Sequence, residues 1–259
     1  MLLMPDDGTT APKPIKWYKN LTTRKGRIDA KAFLIEGHRA VRQIINSNPH
    51  DIIEIVSTEK LPPFYHKYPN RLVTNSQLCS ICPTKTPQGI VAVIRLPMDT
   101  YSNQLPQSVG DKILLLEDVQ DPGNVGTLIR TAVAFDFSGV ILTKKCADPL
   151  SPKCVQSTTG TVLSLWLRRT THYLELVEKL KSSGYSLVAA DLGGTENSSV
   201  LQSQNKLLLA LGNEASGLSD LVLNASNYRL KVPTMRRKAE SLNVTACGAI
   251  CMYLSYHKH

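Results

Sequence analysis

Three polar clusters hold the residue types in this chain that are suited to gripping a ligand. The first is Asp121-Pro122-Gly123-Asn124, with Arg130 six residues beyond Asn124. The second is Gly212-Asn213-Glu214-Ala215-Ser216-Gly217, two glycines enclosing one carboxylate. The third is Ser241, Asn243 and Thr245, at the head of the last apolar run. The first two follow short apolar runs, and open α/β sheets bind ligands just outside the C-terminal ends of their strands. The third sits where a helix presents free amides. The local alternative is simpler: a capping Asn with a solvated Arg, a tight turn and a capped helix.

The elements that must position these clusters alternate strand and helix. Ile113 to Leu116 is a short apolar run bounded by Asp111 and by Glu117 and Asp118, which fits a buried parallel strand. Pro122-Gly123 marks a turn, with Asn124 placed to cap a helix from Val125 to about Phe135. On that helix Val125, Leu128, Ile129, Ala132 and Val133 share one stripe, and Arg130 lies outside it. Strands are expected at 163–167, at 185–190 ending in the turn Asp191-Leu192-Gly193-Gly194, at 206–211 running into the Gly212 loop, and at 228–232. A helix capped by Ser241 runs to about Tyr253 and is apolar on nearly every side, so it is expected to be buried in the core or against another subunit.

Upstream, 32–37, 51–57, 71–75 and 89–97 pattern as strands around helices at 38–48 and 77–82, a compact α/β unit. Lys13, Lys16, Lys19, Arg24, Lys25 and Arg27 surround Trp17 and Tyr18. Cations among aromatic faces suit a nucleic acid, and an amphipathic helix with one anchoring Trp fits the same pattern. His38, Arg39, Arg42, Lys85 and Gln88 fall near strand ends or on exposed helix faces. The polar segment 98–110 is the expected domain boundary, giving a disordered tail at 1–12, a small domain at 13–107 and a larger one at 108–259.

The chain has 259 residues, 42% hydrophobic and 20% charged, with a formal net charge of +9. Residues 1–107 hold 14 Lys and Arg against 8 acids, and 108–259 hold 16 against 13, so the shorter half carries most of an excess that favours a polyanionic partner. No run approaches the roughly 18 apolar residues of a membrane span, and the first residues lack a secretory pattern. Of six cysteines only Cys79 and Cys82 form a C-x-x-C, without a second pair. Zinc or haem is not expected, and reduced packed thiols in the cytoplasm are. Neither G-x-G-x-x-G nor G-x-x-x-x-G-K-[ST] occurs, so dinucleotide and triphosphate cradles are unsupported.

Together, DPGNVGTLIRTA, LALGNEASGLS and VPTMRRKAESLNVTACGAI resemble the three motifs of the SpoU (TrmH-like) RNA 2′-O-ribose methyltransferases of the SPOUT class. The upstream α/β unit is more loosely similar to the small RNA-binding domain of rRNA-directed members. The resemblance implies an α/β chain whose parallel-sheet SPOUT domain is threaded as a trefoil knot, a homodimer, and S-adenosylmethionine as cofactor. It implies a polar site at Asn124, Arg130, Glu214, Ser241 and Asn243, and cofactor contacts at Gly212, Val232 and Leu242. It also favours rRNA over tRNA as partner. One departure is the longer, more basic loop Thr234 to Lys238, where relatives carry Met directly after the Pro.

Such a reaction needs alignment and removal of a ribose hydroxyl proton, because the sulfonium leaves as a neutral thioether. Alignment is worth roughly 7 to 11 kcal/mol in the best model systems. The family's Arg is cast as the base, yet a guanidinium stays protonated at neutral pH. The expectation here is that Arg130 binds phosphate and stabilises the developing alkoxide, that Asn124 and Asn243 orient the ribose, and that Glu214 holds Arg130 or another loop group. The alternatives are a tRNA enzyme, a non-catalytic RNA-binding protein of the same fold, and a nucleotide-binding oxidoreductase that the missing glycine fingerprint disfavours.

Overall fold

A computed structural model describes residues 13–82, 84, 86–235 and 241–256. The expected tail, Lys85 and the basic run Arg236-Arg237-Lys238 lie outside the described residues. The chain divides into two compact units, Met1–Leu96 and Pro97–His259.

The first unit runs α1 (Ile15–Asn20), α2 (Arg24–Ala30), β1 (Ala32–Glu36), α3 (His38–Ser47), β2 (Ile52–Ser57), β3 (Asn70–Leu72), α4 (Asn75–Ile81) and β4 (Ile90–Arg95). Its mixed sheet has the order β1-β4-β2-β3, with β4 antiparallel to both neighbours and β3 parallel to β2. Burial sorts the basic stretch. Lys13, Lys16, Lys19, Arg24 and Lys25 are exposed, whereas Arg27 is buried and donates to the carbonyls of Leu21 and Thr22 at 3.3 and 3.1 Å. Tyr18, not Trp17, is the buried anchor. Its hydroxyl donates to Glu54 at 2.7 Å and accepts from Arg71 at 3.0 Å, so it offers no stacking face.

The second unit holds a six-stranded sheet, order β10-β8-β9-β5-β6-β7, with every strand pairing among the described residues parallel. Its elements are β5 (Lys112–Leu116), α5 (Pro122–Ala134), β6 (Gly139–Thr143), α6 (Pro152–Thr158), β7 (Trp166–Thr170), α7 (Tyr173–Ser182), β8 (Ser186–Thr195), α8 (Ser199–Gln202), β9 (Leu207–Leu211), α9 (Asp220–Ala225), β10 (Tyr228–Leu230) and α10 (Val244–Leu254). The inner strands β5, β6 and β9 are buried on nearly all residues, as a sheet covered on both faces requires.

Several expectations change here. The strand expected at 163–167 lies at Trp166–Thr170, where the indole of Trp166 donates to the Val109 carbonyl at 2.9 Å. The turn expected at Asp191-Gly194 is the second half of β8. A Cβ on Gly194 would meet the Arg229 carbonyl carbon at 2.6 Å, so its lack of a side chain lets β8 run on beside β10. Segment 98–110 is no free spacer, and the division falls at 96/97 rather than 107/108. Arg168 donates to the Gln104 carbonyl at 2.6 Å, Thr170 to the Asn103 side chain at 2.5 Å and Tyr185 to the Gly110 carbonyl, tying the segment to the sheet.

Candidate functional site

The site begins where β5 ends. Pro122 occupies the first turn of α5, where its missing N–H costs nothing, so this helix starts earlier than expected and its cap is Asp121 rather than Asn124. Asp121 Oδ1 accepts the Asn124 N–H at 2.9 Å, and Lys153 Nζ lies 3.3 Å from Oδ2. The Asn124 amide, and after it Lys153, hold the Asp121 carboxyl below the ordinary carboxylate range despite some opposing desolvation. Relieved of capping, the Asn124 side chain donates from Nδ2 to Glu214 Oε1 at 2.7 Å.

Glu214 stands at the tip of a tight turn after β9. Asn213 and Gly217 exchange backbone hydrogen bonds at 3.1 and 2.9 Å. The Asn213 side chain accepts from the Ala215 and Ser216 amides and donates to the Asp118 carbonyl at 2.8 Å. Gly217 has φ +71°, and a Cβ on Gly212 would fall 2.3 Å from the Gly217 carbonyl carbon. Both positions therefore need glycine. The far end of the turn is clamped by Glu117, which is 4% exposed. Its carboxylate accepts from the Ser219 amide at 2.7 Å, the Ser219 hydroxyl at 2.7 Å and the Tyr173 hydroxyl at 2.8 Å. Burial, and then the bond to Glu117, push the Tyr173 hydroxyl up to about 12.

Beside the turn lies a cavity of about 460 Å³. Gly212, Glu214, Val232, Ser241 and Leu242 all line it, together with Asp191 from β8, Thr234 and Cys247. Asn124 does not line the cavity but is hydrogen-bonded to Glu214 at its wall. Asn243 and Arg130 are not among the lining residues. Asn243, not Ser241, caps α10, accepting the Thr245 amide at 2.8 Å. Arg130 follows Asn124 by about 9 Å along α5 and about 120° around it. It is exposed and donates to Thr159 Oγ1 at 3.3 Å, and among the described residues it forms no ion pair. Glu214 thus holds Asn124, not Arg130.

Thr234 opens the loop already singled out in the sequence, whereas Asp191 and Cys247 are not apparent there as cavity residues. Asp191 resembled a turn residue, and Cys247 lies one turn inside a helix that starts later than expected. The cavity fits S-adenosylmethionine: its size is in the range of small-molecule sites, Leu192, Leu211, Leu230 and Val244 supply apolar wall, and Asp191 and Glu214 supply carboxylates. All six cysteines are free thiols. Among the described residues no helix is long and apolar enough to cross a membrane.

Comparison with known proteins follows the same two units. Residues 111–253 match the model of the SpoU rRNA Methylase family, and residues 13–92 that of an MRM3-like substrate binding domain. The 23S rRNA (guanosine(2553)-2′-O)-methyltransferase RlmP of Bacillus subtilis (strain 168) is 32% identical over 248 residues, 92% of this chain and 94% of that protein. The AdoMet-bound rRNA methyltransferase from Sinorhizobium meliloti superposes with a TM-score of 0.80 at 25% identity, over 95% of each chain. The AdoMet complex of AviRb from Streptomyces viridochromogenes has the same fold, with a TM-score of 0.80 at 24% identity over 93% of this chain and 96% of that one.

Proposed function

The chain belongs to the SpoU rRNA Methylase family, and on that premise we propose that it methylates a ribose 2′-hydroxyl of structured RNA from S-adenosylmethionine, with ribosomal RNA as substrate. The observation that carries the reading is the Asn124–Glu214 hydrogen bond, which joins the head of α5 to a cavity of suitable size and lining. The ribosomal choice is supported by the named activity of the Bacillus relative and by the substrate-binding unit.

When bound, S-adenosylmethionine supplies an electrophilic methyl group on a sulfonium. The chain's part is alignment and charge. We assign Gly212, Val232 and Leu242 to the cofactor and Asn124, Glu214, Ser241 and Asn243 to positioning the acceptor ribose. Arg130, an exposed cation without a carboxylate partner among the described residues, serves as a phosphate ligand and stabilises the developing alkoxide. A guanidinium keeps its proton at neutral pH and has no free lone pair to act as base, so a phosphate oxygen or water takes the proton.

The same reading includes the trefoil knot, a cytoplasmic location and a homodimer. For the dimer, Tyr253 and Ile250 of α10 are 66% and 38% exposed, and Phe135 packs edge-on against Tyr253 at 6.1 Å, leaving an apolar face of the kind oligomers bury. In the first unit, exposed Arg39 and Arg42, with Arg42 5.7 Å above the ring of half-exposed Phe64, suit an RNA backbone and bases.

Single-turnover methyl transfer by Arg130→Ala and Arg130→Lys tests the role of Arg130. Removal of one such electrostatic contact costs about 10²- to 10³-fold, and Lys is expected to recover part of it. A Lys variant as slow as the Ala variant overturns simple charge stabilisation.

A further inference from the structure

Asp191 lines the cavity from the β8 side, a carboxylate to which the reading of the site gives no partner on the cofactor. Parallel pairing of β8 with β9 runs Ser186↔Leu207 to Ala189↔Ala210, and two more residues in that register bring Asp191 level with Gly212. Asp191 is therefore beside the turn assigned to the cofactor, on the strand that the glycine pair Gly193-Gly194 allows to continue past the cavity. Its side chain is 20% exposed.

Arg229 of β10 grips it from behind. Nε and Nη2 of Arg229 lie 2.9 and 2.5 Å from the same oxygen, Oδ2. A Cβ on Gly193 would stand 3.0 Å from Arg229 Nη2 and 3.2 Å from Asp191 Oδ2, so that glycine keeps the pair uncrowded. Two consequences follow. The guanidinium cancels the carboxylate's charge, which makes Asp191 a poor counter-ion for an ammonium group. It leaves Oδ1 with its acceptor capacity, in an orientation fixed by the bonds to Oδ2. An ion-paired, oriented carboxylate beside a glycine turn suits neutral hydroxyl donors, the way an acidic residue takes a ribose hydroxyl in dinucleotide-binding sheets.

We propose that Asp191, oriented by Arg229, accepts the ribose hydroxyls of S-adenosylmethionine and is a cofactor-specificity residue of this enzyme. The inference rests on the reading that the cofactor occupies this cavity. It assigns the Asp191–Arg229 pair to ligand recognition rather than to holding β8 against β10.

The test is equilibrium calorimetry of S-adenosylhomocysteine and of its 2′,3′-dideoxyribose analogue with wild type, Asp191→Asn and Asp191→Ala. A hydrogen bond to a charged acceptor is worth about 10- to 100-fold in affinity. Wild type is expected to prefer the hydroxylated ligand by that factor, Asp191→Ala to bind both alike, and Asp191→Asn, which keeps one oxygen acceptor, to fall between. Arg229 is about half exposed and is not left buried without a partner, so the variants are expected to fold; calorimetric melting of each apoprotein checks this. If Asp191→Ala weakens both ligands equally, or neither, the proposal is overturned while the functional reading stands. If wild type binds neither ligand, both fall.

Discussion

Removing the Glu117 carboxylate perturbs the site from within the core, and the cost follows from its partners. Three donors converge on a side chain 4% exposed: the Ser219 amide on Oε2, and the hydroxyls of Ser219 and Tyr173 on Oε1. Glu117→Ala leaves an amide and two hydroxyls, all part-buried, without this acceptor. Removing one member of such a network costs about 3 to 5 kcal/mol. Glu117→Gln is milder, because its amide oxygen can serve the Ser219 N–H while its NH2 faces two hydroxyls that rotate to accept, and about 1 to 2 kcal/mol is expected. At about 2 to 4 °C per kcal/mol for a domain of this size, calorimetric melting should fall by about 10 °C for Ala and by about 4 °C for Gln. Ser219 ends the turn that carries Glu214 and caps α9, so affinity for S-adenosylhomocysteine should fall with stability. An Ala variant that melts within about 1 °C of wild type would refute the clamp.

Other outcomes follow from neighbouring contacts. Asp121→Ala removes the cap of α5 and should cost about 1 kcal/mol, seen as a small drop in urea midpoint. Because the Asp121 carboxyl is held below its usual range, its contribution is present above the unfolded pKa and is lost as pH falls, so the variant should show a shallower acid decline in stability. Tyr18 and Tyr173 are both raised from 10.0 to about 12. The folded state holds these protons more tightly, so melting temperature should decline between about pH 10 and 12, less steeply in Tyr173→Phe. Gly212→Ala drives a Cβ to 2.3 Å from the Gly217 carbonyl carbon, and calorimetry should find cofactor binding lost from a protein that still unfolds cooperatively.

Much of this site is legible in the sequence because its loops are short, polar and placed at strand ends. Gly212-Gly217 can be read as a ligand turn from its composition and its place at a strand end, and in the structure Gly212 and Glu214 stand on the cavity wall. Which polar residue caps a helix is not legible in the sequence at two helices, for different reasons. Pro122 is compatible with the first helical turn, so the cap moved back to Asp121. The last helix starts later than its apolar pattern suggested, so the cap moved on to Asn243. Arg27 looked like an RNA contact because charge is visible in sequence while burial is not. Asp191 was hidden by two glycines, which mark a turn in isolation but here admit the close approach of Arg229, a partner 38 residues away. Pairings of that range depend on strand order, and periodicity does not encode strand order.

The central claim is the chemistry at the ribose, and alkaline hydrolysis tests it most directly. A 2′-O-methyl group removes the hydroxyl that attacks the adjacent phosphodiester, so a methylated nucleotide leaves a gap in the ladder. Ribosomal RNA incubated with the protein and methyl-labelled S-adenosylmethionine is predicted to carry label and show one such gap, absent with Arg130→Ala. Label on a base with an unbroken ladder, or no label in any RNA, would contradict the account.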